Sequence, residues 1–64
     1  MDTDTRHTIA VTRAIAYAEA RRARSMRVLA SLPPQSPTRA LLERSITEAT
    51  LDIAHLRTLE GATT

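Results

Sequence analysis

The chain has 64 residues, which is enough for one domain at most. It contains no cysteine, so disulfides and thiolate metal sites are excluded as sources of stability. Nine arginines stand against seven acidic residues, which gives a formal net charge of +2 without any lysine. Because chains this short bury only about 60% of the surface that they expose when unfolded, we expect association with another chain.

No segment has the character of a targeting or membrane sequence. Residues 1–8 lack the apolar core of a signal peptide. No run approaches the roughly 20 apolar residues that span a bilayer. The sequence therefore predicts a cytoplasmic protein that makes no membrane contact.

The first predicted element is a helix over about residues 4–31. Alanine and arginine favour this conformation, and the stretch contains no glycine or proline. Pro33 disfavours the α conformation at Leu32, so the helix is predicted to end near Ser31. Four residues are candidates for its N-cap, and the aspartates among them suit the positive end of the helix dipole. These candidates are Asp2, Thr3, Asp4 and Thr5.

A proline-rich turn over residues 32–36 precedes a second helix, predicted over about residues 37–60. Ser36 is the predicted N-cap and Pro37 the first helical residue, where the missing N–H costs nothing. Gly61 is predicted to end the helix in the left-handed conformation, with a frayed tail over residues 61–64. Because no stretch alternates as a strand does, the predicted fold is all-α, one antiparallel two-helix hairpin over residues 1–64.

Apolar and small residues spaced by three and four define one seam on each helix. Paired residues, such as Ile15 with Ile53 and Ser25 with Leu42, keep a nearly constant sum of residue numbers, as an antiparallel hairpin requires. The predicted seam of the first helix is Thr8, Val11, Ile15, Ala18, Arg22, Ser25 and Leu29. The predicted seam of the second helix is Leu42, Ile46, Ala49, Ile53, Leu56 and Glu60.

Several apolar residues lie off these seams, where a hairpin alone does not cover them. We predict that they form the interface of a homodimeric four-helix bundle, since two-fold dimers are the commonest oligomers. The alternative is that they receive a helix from another protein. The predicted interface residues are Ala10, Ala14, Tyr17, Val28, Leu32, Leu41, Leu51 and Leu59.

The first helix carries a row of arginines opposite its apolar faces. Arg6, Arg13, Arg24 and Arg27 fall within about 60° of one another at 3.6 residues per turn. Such a row is suited to nucleic-acid phosphates, although the face has no Asn, Gln or aromatic residue for reading bases. The simpler interpretation is a solvated helix face, and nucleic acid is the less favoured partner.

Arg21 and Arg22 point toward the apolar side instead. Arg22 stands on the seam, where a charge must be paired or reach water. We expect carboxylates to hold both arginines inward, with Glu19, Glu43 and Glu48 as the candidates for Arg22. The alternative is that Arg21 and Arg22 of two subunits form a pocket for a small anionic ligand.

Nothing in the sequence indicates catalysis, a cofactor or a metal site. Asp52 and His55 have no usable serine or cysteine, and His7 and His55 are predicted at levels unsuited to one metal ion. The sequence therefore predicts a small non-enzymatic regulator or adaptor that acts through helix–helix contacts and dimerisation. A nucleic-acid backbone binder and an anionic-ligand binder remain the alternatives.

Overall fold

The computed structural model describes residues 3–62, apart from the side chains of Asp4 and Ala62. Helix α1 runs over Thr3–Ser31 and helix α2 over Thr38–Ala62. The chain turns back between them, so the helices pack antiparallel in an all-α hairpin about 50 Å long. The predicted fold class is confirmed.

Helix α1 ends at Ser31, two residues before Pro33, as the sequence predicts. The Leu32 N–H donates to the Leu29 carbonyl at 3.2 Å, which closes the last turn of the helix. The Ser36 N–H then donates to the Pro33 carbonyl at 3.1 Å. These two bonds reverse the chain over residues 32–37.

Ser36 caps helix α2. Its side-chain oxygen accepts a hydrogen bond from the Thr38 N–H at 3.3 Å, and its carbonyl accepts one from the Arg39 N–H at 3.1 Å. The guanidinium of Arg39 also reaches back to the Leu29 carbonyl at 3.5 Å, near the end of α1. The predicted N-cap is confirmed by the bond from the Thr38 N–H. A serine is favoured at this position because its side chain satisfies a backbone donor that the helix leaves free.

The predicted end of the second helix is wrong. Helix α2 continues through Gly61 to Ala62, and no glycine of the described chain has a positive φ. Glycine permits the helical as well as the left-handed conformation, and no other group lies within 4 Å of a Cβ built on Gly61. No packing contact therefore forces a reversal there. The predicted tail at residues 63–64 and the cap candidates Asp2 and the Asp4 side chain lie outside the described residues.

The core is the predicted seam. Its buried members are two isoleucines, one valine and two alanines, and each buried isoleucine contributes roughly 1.5–3 kcal/mol relative to exposure. The seam residue Thr8 is exposed, because it lies near the open end of the hairpin, where α2 ends. The buried side chains are Val11, Ile15, Ala18, Ala49 and Ile53. The half-buried seam side chains are Arg22, Ser25, Leu29, Leu42, Ile46, Leu56 and Glu60.

Candidate interaction surfaces

Arg21 and Arg22 divide the hairpin into two flanks. Arg21 Nη2 lies 3.4 Å from Glu48 Oε2, and Arg22 Nη1 donates to Thr50 Oγ1 at 3.5 Å. Glu48 and Thr50 are about 200° apart around α2 at 3.6 residues per turn. The two neighbouring arginines therefore reach past opposite sides of the second helix.

The carboxylate expected for Arg21 is present, but the one expected for Arg22 is not. Glu19 accepts a hydrogen bond from Arg57 Nη2 at 3.4 Å, and Glu43 lies 4.0 Å from Arg39 within α2. With these carboxylates engaged elsewhere, the half-buried Arg22 uses a threonine hydroxyl and remains partly in water.

Within one chain, Arg21 and Arg22 do not form the shared anion pocket considered above. Their guanidinium groups diverge to the two flanks, and a carboxylate already neutralises Arg21. A further anion at Arg21 would share its guanidinium with the Glu48 carboxylate.

The flank that carries Arg21 is also the apolar one. Tyr17 is 69% exposed and Leu41 is 63% exposed, while Ala14 and Leu32 are half-buried. On helix α2, Leu41 and Leu59 share a stripe with Glu48, because they lie 7 and 11 residues from it, spacings built from steps of three and four. We name this flank the tyrosine face. It consists of Ala10, Ala14, Tyr17 and Val28 on α1, Leu32 just after the end of α1, and Leu41 and Leu59 on α2.

Leu51 does not belong to this surface. It stands two residues from the buried Ala49 and two from the buried Ile53, so it lies on the side of α2 that points away from α1. Its side chain is 64% exposed. The sequence grouped Leu51 with Leu41 and Leu59, but the geometry of the helix sets it apart.

An open groove of about 320 Å³ occupies the centre of the tyrosine face. Asp52 and His55, which the sequence indicated only as a surface pair, line this groove together with Tyr17. The sequence feature that could have indicated this is their position four and seven residues after Glu48, which puts them on the same stripe of α2. The lining residues are Ala14, Tyr17, Ala18, Arg21, Asp52, His55 and Leu56.

The other side of the seam, which we name the polar flank, is closed by contacts between the helices. Glu19 on α1 binds Arg57 on α2, and Arg22 binds Thr50. Met26, which is 53% exposed, is the large apolar residue on this side. The polar flank is defined by Glu19, Arg22, Met26, Thr50 and Arg57.

One polar contact within the seam was not predicted. The hydroxyl oxygens of Ser25 and Ser45 lie 3.3 Å apart and are partly buried. The sequence pairs Ser25 with Leu42, one helical turn earlier on α2. One hydroxyl donates to the other, and no buried side-chain N or O of the described residues lacks a partner.

The four arginines of the predicted row lie where the sequence places them. Arg6, Arg13, Arg24 and Arg27 are all exposed on α1. Over residues 3–62, the observed ion pairs involve other arginines and leave these four without a carboxylate. Arg6 and Arg13 also border a shallow open groove beside Ile9.

The described residues contain no grouping of His, Cys, Asp and Glu side chains able to hold a metal ion. His7 and His55 are both exposed. Within residues 3–62, neither helix combines the length and the hydrophobicity needed to cross a bilayer.

No protein-family model matches this chain, and comparisons with curated proteins and with solved structures likewise find no match.

Proposed function

We propose that this protein is a non-catalytic interaction module that pairs with a second copy of itself through the tyrosine face. In this proposal the resulting four-helix bundle acts as a small regulator or adaptor through helix–helix contacts. The observation that carries the proposal is the exposure of large apolar side chains on one flank, above all Tyr17 at 69% and Leu41 at 63%.

The small core supports association. Only alanine, valine and isoleucine side chains are fully buried among the described residues, and none of them is aromatic. A domain of this size without disulfides or a metal needs further apolar burial to be stable. Covering the tyrosine face of each chain with that of another supplies such burial.

The pattern along the tyrosine face favours a second copy over an unrelated helix. Apolar residues occupy both ends, with Ala10 and Leu59 at one and Val28 and Leu41 at the other. The charged Arg21 lies between them, beside Glu48. When two copies pair antiparallel about a two-fold axis, the apolar end of one copy therefore meets an apolar end of the other, which makes the tyrosine face compatible with such an interface.

The charges at the centre are also self-complementary. Arg21 contributes a positive charge, while Glu48 and Asp52 contribute negative ones on the same stripe. No ion pair of Asp52 occurs within the described residues. In a two-fold dimer, the Asp52 carboxylate of one copy is available to the Arg21 guanidinium of the other, which favours this partner and this orientation.

Sedimentation equilibrium at micromolar concentration tests the proposal. We expect the wild-type protein to have twice the mass of one chain. Tyr17→Glu places a charge in the interface and is expected to raise the dimer dissociation constant at least about tenfold. Met26→Glu is the matched control, since it adds the same charge at a 53% exposed residue on the polar flank.

A folded wild-type monomer under these conditions would contradict the proposal, and so would equal weakening by the two glutamate variants. A wild-type monomer that instead captures a helix of another protein on the tyrosine face would favour the heterologous alternative. Circular dichroism shows whether each variant retains its helices.

A further inference from the structure

The outer side of helix α1 carries positive charge that the described protein does not neutralise. Arg6, Arg13, Arg24 and Arg27, which we name the arginine strip, are exposed and form no ion pair within residues 3–62. Arg21, which also lies on α1, differs from them because it forms an ion pair with the Glu48 carboxylate. The strip is therefore a surface free to attract an external anion.

The strip is long, narrow and of one sign. Twenty-one residues separate Arg6 from Arg27, a distance of roughly 31 Å at 1.5 Å per residue. Ile9, Ala16 and Ala20 lie between the arginines on the same side of the helix, so no carboxylate interrupts the strip. Its length is close to the roughly 34 Å of one turn of a nucleic-acid duplex.

We propose that the arginine strip binds the phosphate backbone of duplex nucleic acid without reading its sequence. Guanidinium groups match phosphate oxygens with two parallel hydrogen bonds, and a row of them along one side of a duplex can contact phosphates where the strands cross its path. The chain has no asparagine, and its one glutamine, Gln35, lies in the turn, so the strip offers no amide for contacting base edges.

The composition of the strip disfavours other anionic partners. Binding of single strands relies on aromatic side chains that stack on bases, and the one candidate, Tyr17, belongs to the tyrosine face. Helices that lie on anionic membranes place large apolar residues beside their basic ones. Ile9 is the one large apolar residue between the strip arginines, and the neighbouring Tyr17 belongs to the tyrosine face, so duplex phosphate is the ligand that fits best.

Fluorescence anisotropy with labelled DNA and RNA duplexes of about 30 base pairs, longer than the strip, tests this proposal at about 50 mM salt. The test variant is Arg13→Ala/Arg24→Ala/Arg27→Ala. The control is Arg39→Ala/Arg44→Ala/Arg57→Ala on helix α2. Each triple leaves six arginines against seven acidic residues, so both have a formal net charge of −1.

We expect wild-type affinity to fall with salt at a logarithmic slope of about −0.9 per phosphate contacted on DNA. The strip variant is expected to lose at least about tenfold in affinity and to show a flatter slope. The control triple is expected to lose less and to keep the slope. Binding to only one of the two duplexes would identify which nucleic acid carries the phosphates.

Equal losses in the two triples would overturn the proposal, because they would reflect net charge alone. No binding at low salt, or tighter binding to phosphatidylserine vesicles than to either duplex, would overturn it as well. If the control triple loses its helicity, single variants decide the matter. Arg27→Ala and Arg44→Ala each remove one exposed arginine that forms no ion pair among the described residues, and only the first is expected to weaken binding.

The arginine strip does not depend on the proposed dimer. Leu41→Glu and Met26→Glu add the same charge, the first on the α2 side of the tyrosine face and the second on the polar flank, and both leave all four strip arginines in place. We expect both to bind duplex with the same salt slope per chain, even if only the first is monomeric. A folded Leu41→Glu monomer that no longer binds would show that the strip of one chain is insufficient, which contradicts the proposal.

Discussion

The tyrosine face and the polar flank lie on either side of the same seam, but their side chains are satisfied differently. On the polar flank, Glu19 and Arg57 join the helices through an ion pair, and Arg22 reaches Thr50. The tyrosine face has one such ion pair, and most of its apolar side chains remain exposed. A flank closed by contacts between its own helices needs no partner, whereas an apolar flank is stabilised by acquiring one.

The largest expected effect tests the seam that both flanks share. Ile53→Ala should lower the free energy of unfolding by about 2–5 kcal/mol, because Ile53 is 3% exposed and its loss leaves a cavity. Leu51→Ala, two residues away on the outer side of α2, should change it by no more than about 0.5 kcal/mol. Urea unfolding at fixed protein concentration measures both. Equal losses would mean that the buried side and the outer side of α2 have been assigned wrongly.

The second prediction concerns how stability responds to concentration. If the tyrosine face is covered by a second copy, a tenfold rise in protein concentration should stabilise the folded dimer by about 1.4 kcal/mol. The Met26→Glu variant should keep this dependence, and Tyr17→Glu should lose it. A thermal midpoint that is independent of wild-type concentration in the micromolar range would remove the proposed difference between the flanks.

The third prediction measures how strongly the polar flank is closed. A double-mutant cycle with Glu19→Gln and Arg57→Gln should give a coupling energy of about 0.2–1 kcal/mol, decreasing with salt, since both side chains are largely exposed. The Arg39–Glu43 pair at 4.0 Å within α2 provides a weaker comparison. A coupling of zero for Glu19 and Arg57 would leave the polar flank without its main contact between helices.

The smallest expected effect lies outside both flanks. Arg27→Ala should change the free energy of unfolding by less than about 0.5 kcal/mol, because Arg27 is exposed and forms no ion pair within residues 3–62. Chemical unfolding in the absence of nucleic acid is the measurement. A loss above about 1 kcal/mol would place Arg27 in a structural contact, and the arginine strip would be shorter than proposed.

The fold could be predicted because its signals are local and repeated. The prolines fix where the chain turns, and the three-and-four spacing of residues such as Val11, Ile15 and Ala49 fixes which side of each helix is buried. The exposure of Tyr17 and of the arginine strip then follows from the same period. These features require no knowledge of which side chains touch.

The partners of long or small polar side chains could not be predicted in the same way. Arg22 has several acceptors within reach, and the choice of Thr50 depends on its rotamer and on the exact axial level of α2. The contact between Ser25 and Ser45 differs from the predicted one by a single helical turn. The spacing of apolar residues shows clearly which side of a helix is buried. It shows less clearly which residues of the two helices lie at the same level along the axis.

Tyr17 has one more consequence for experiments on this protein. It is the chain's only Phe, Trp or Tyr residue, and it lies at the centre of the tyrosine face with 69% of its surface exposed. Its phenol emission therefore comes from one known place on the hairpin. Quenching by dissolved iodide reports directly whether that place is covered, without any attached dye.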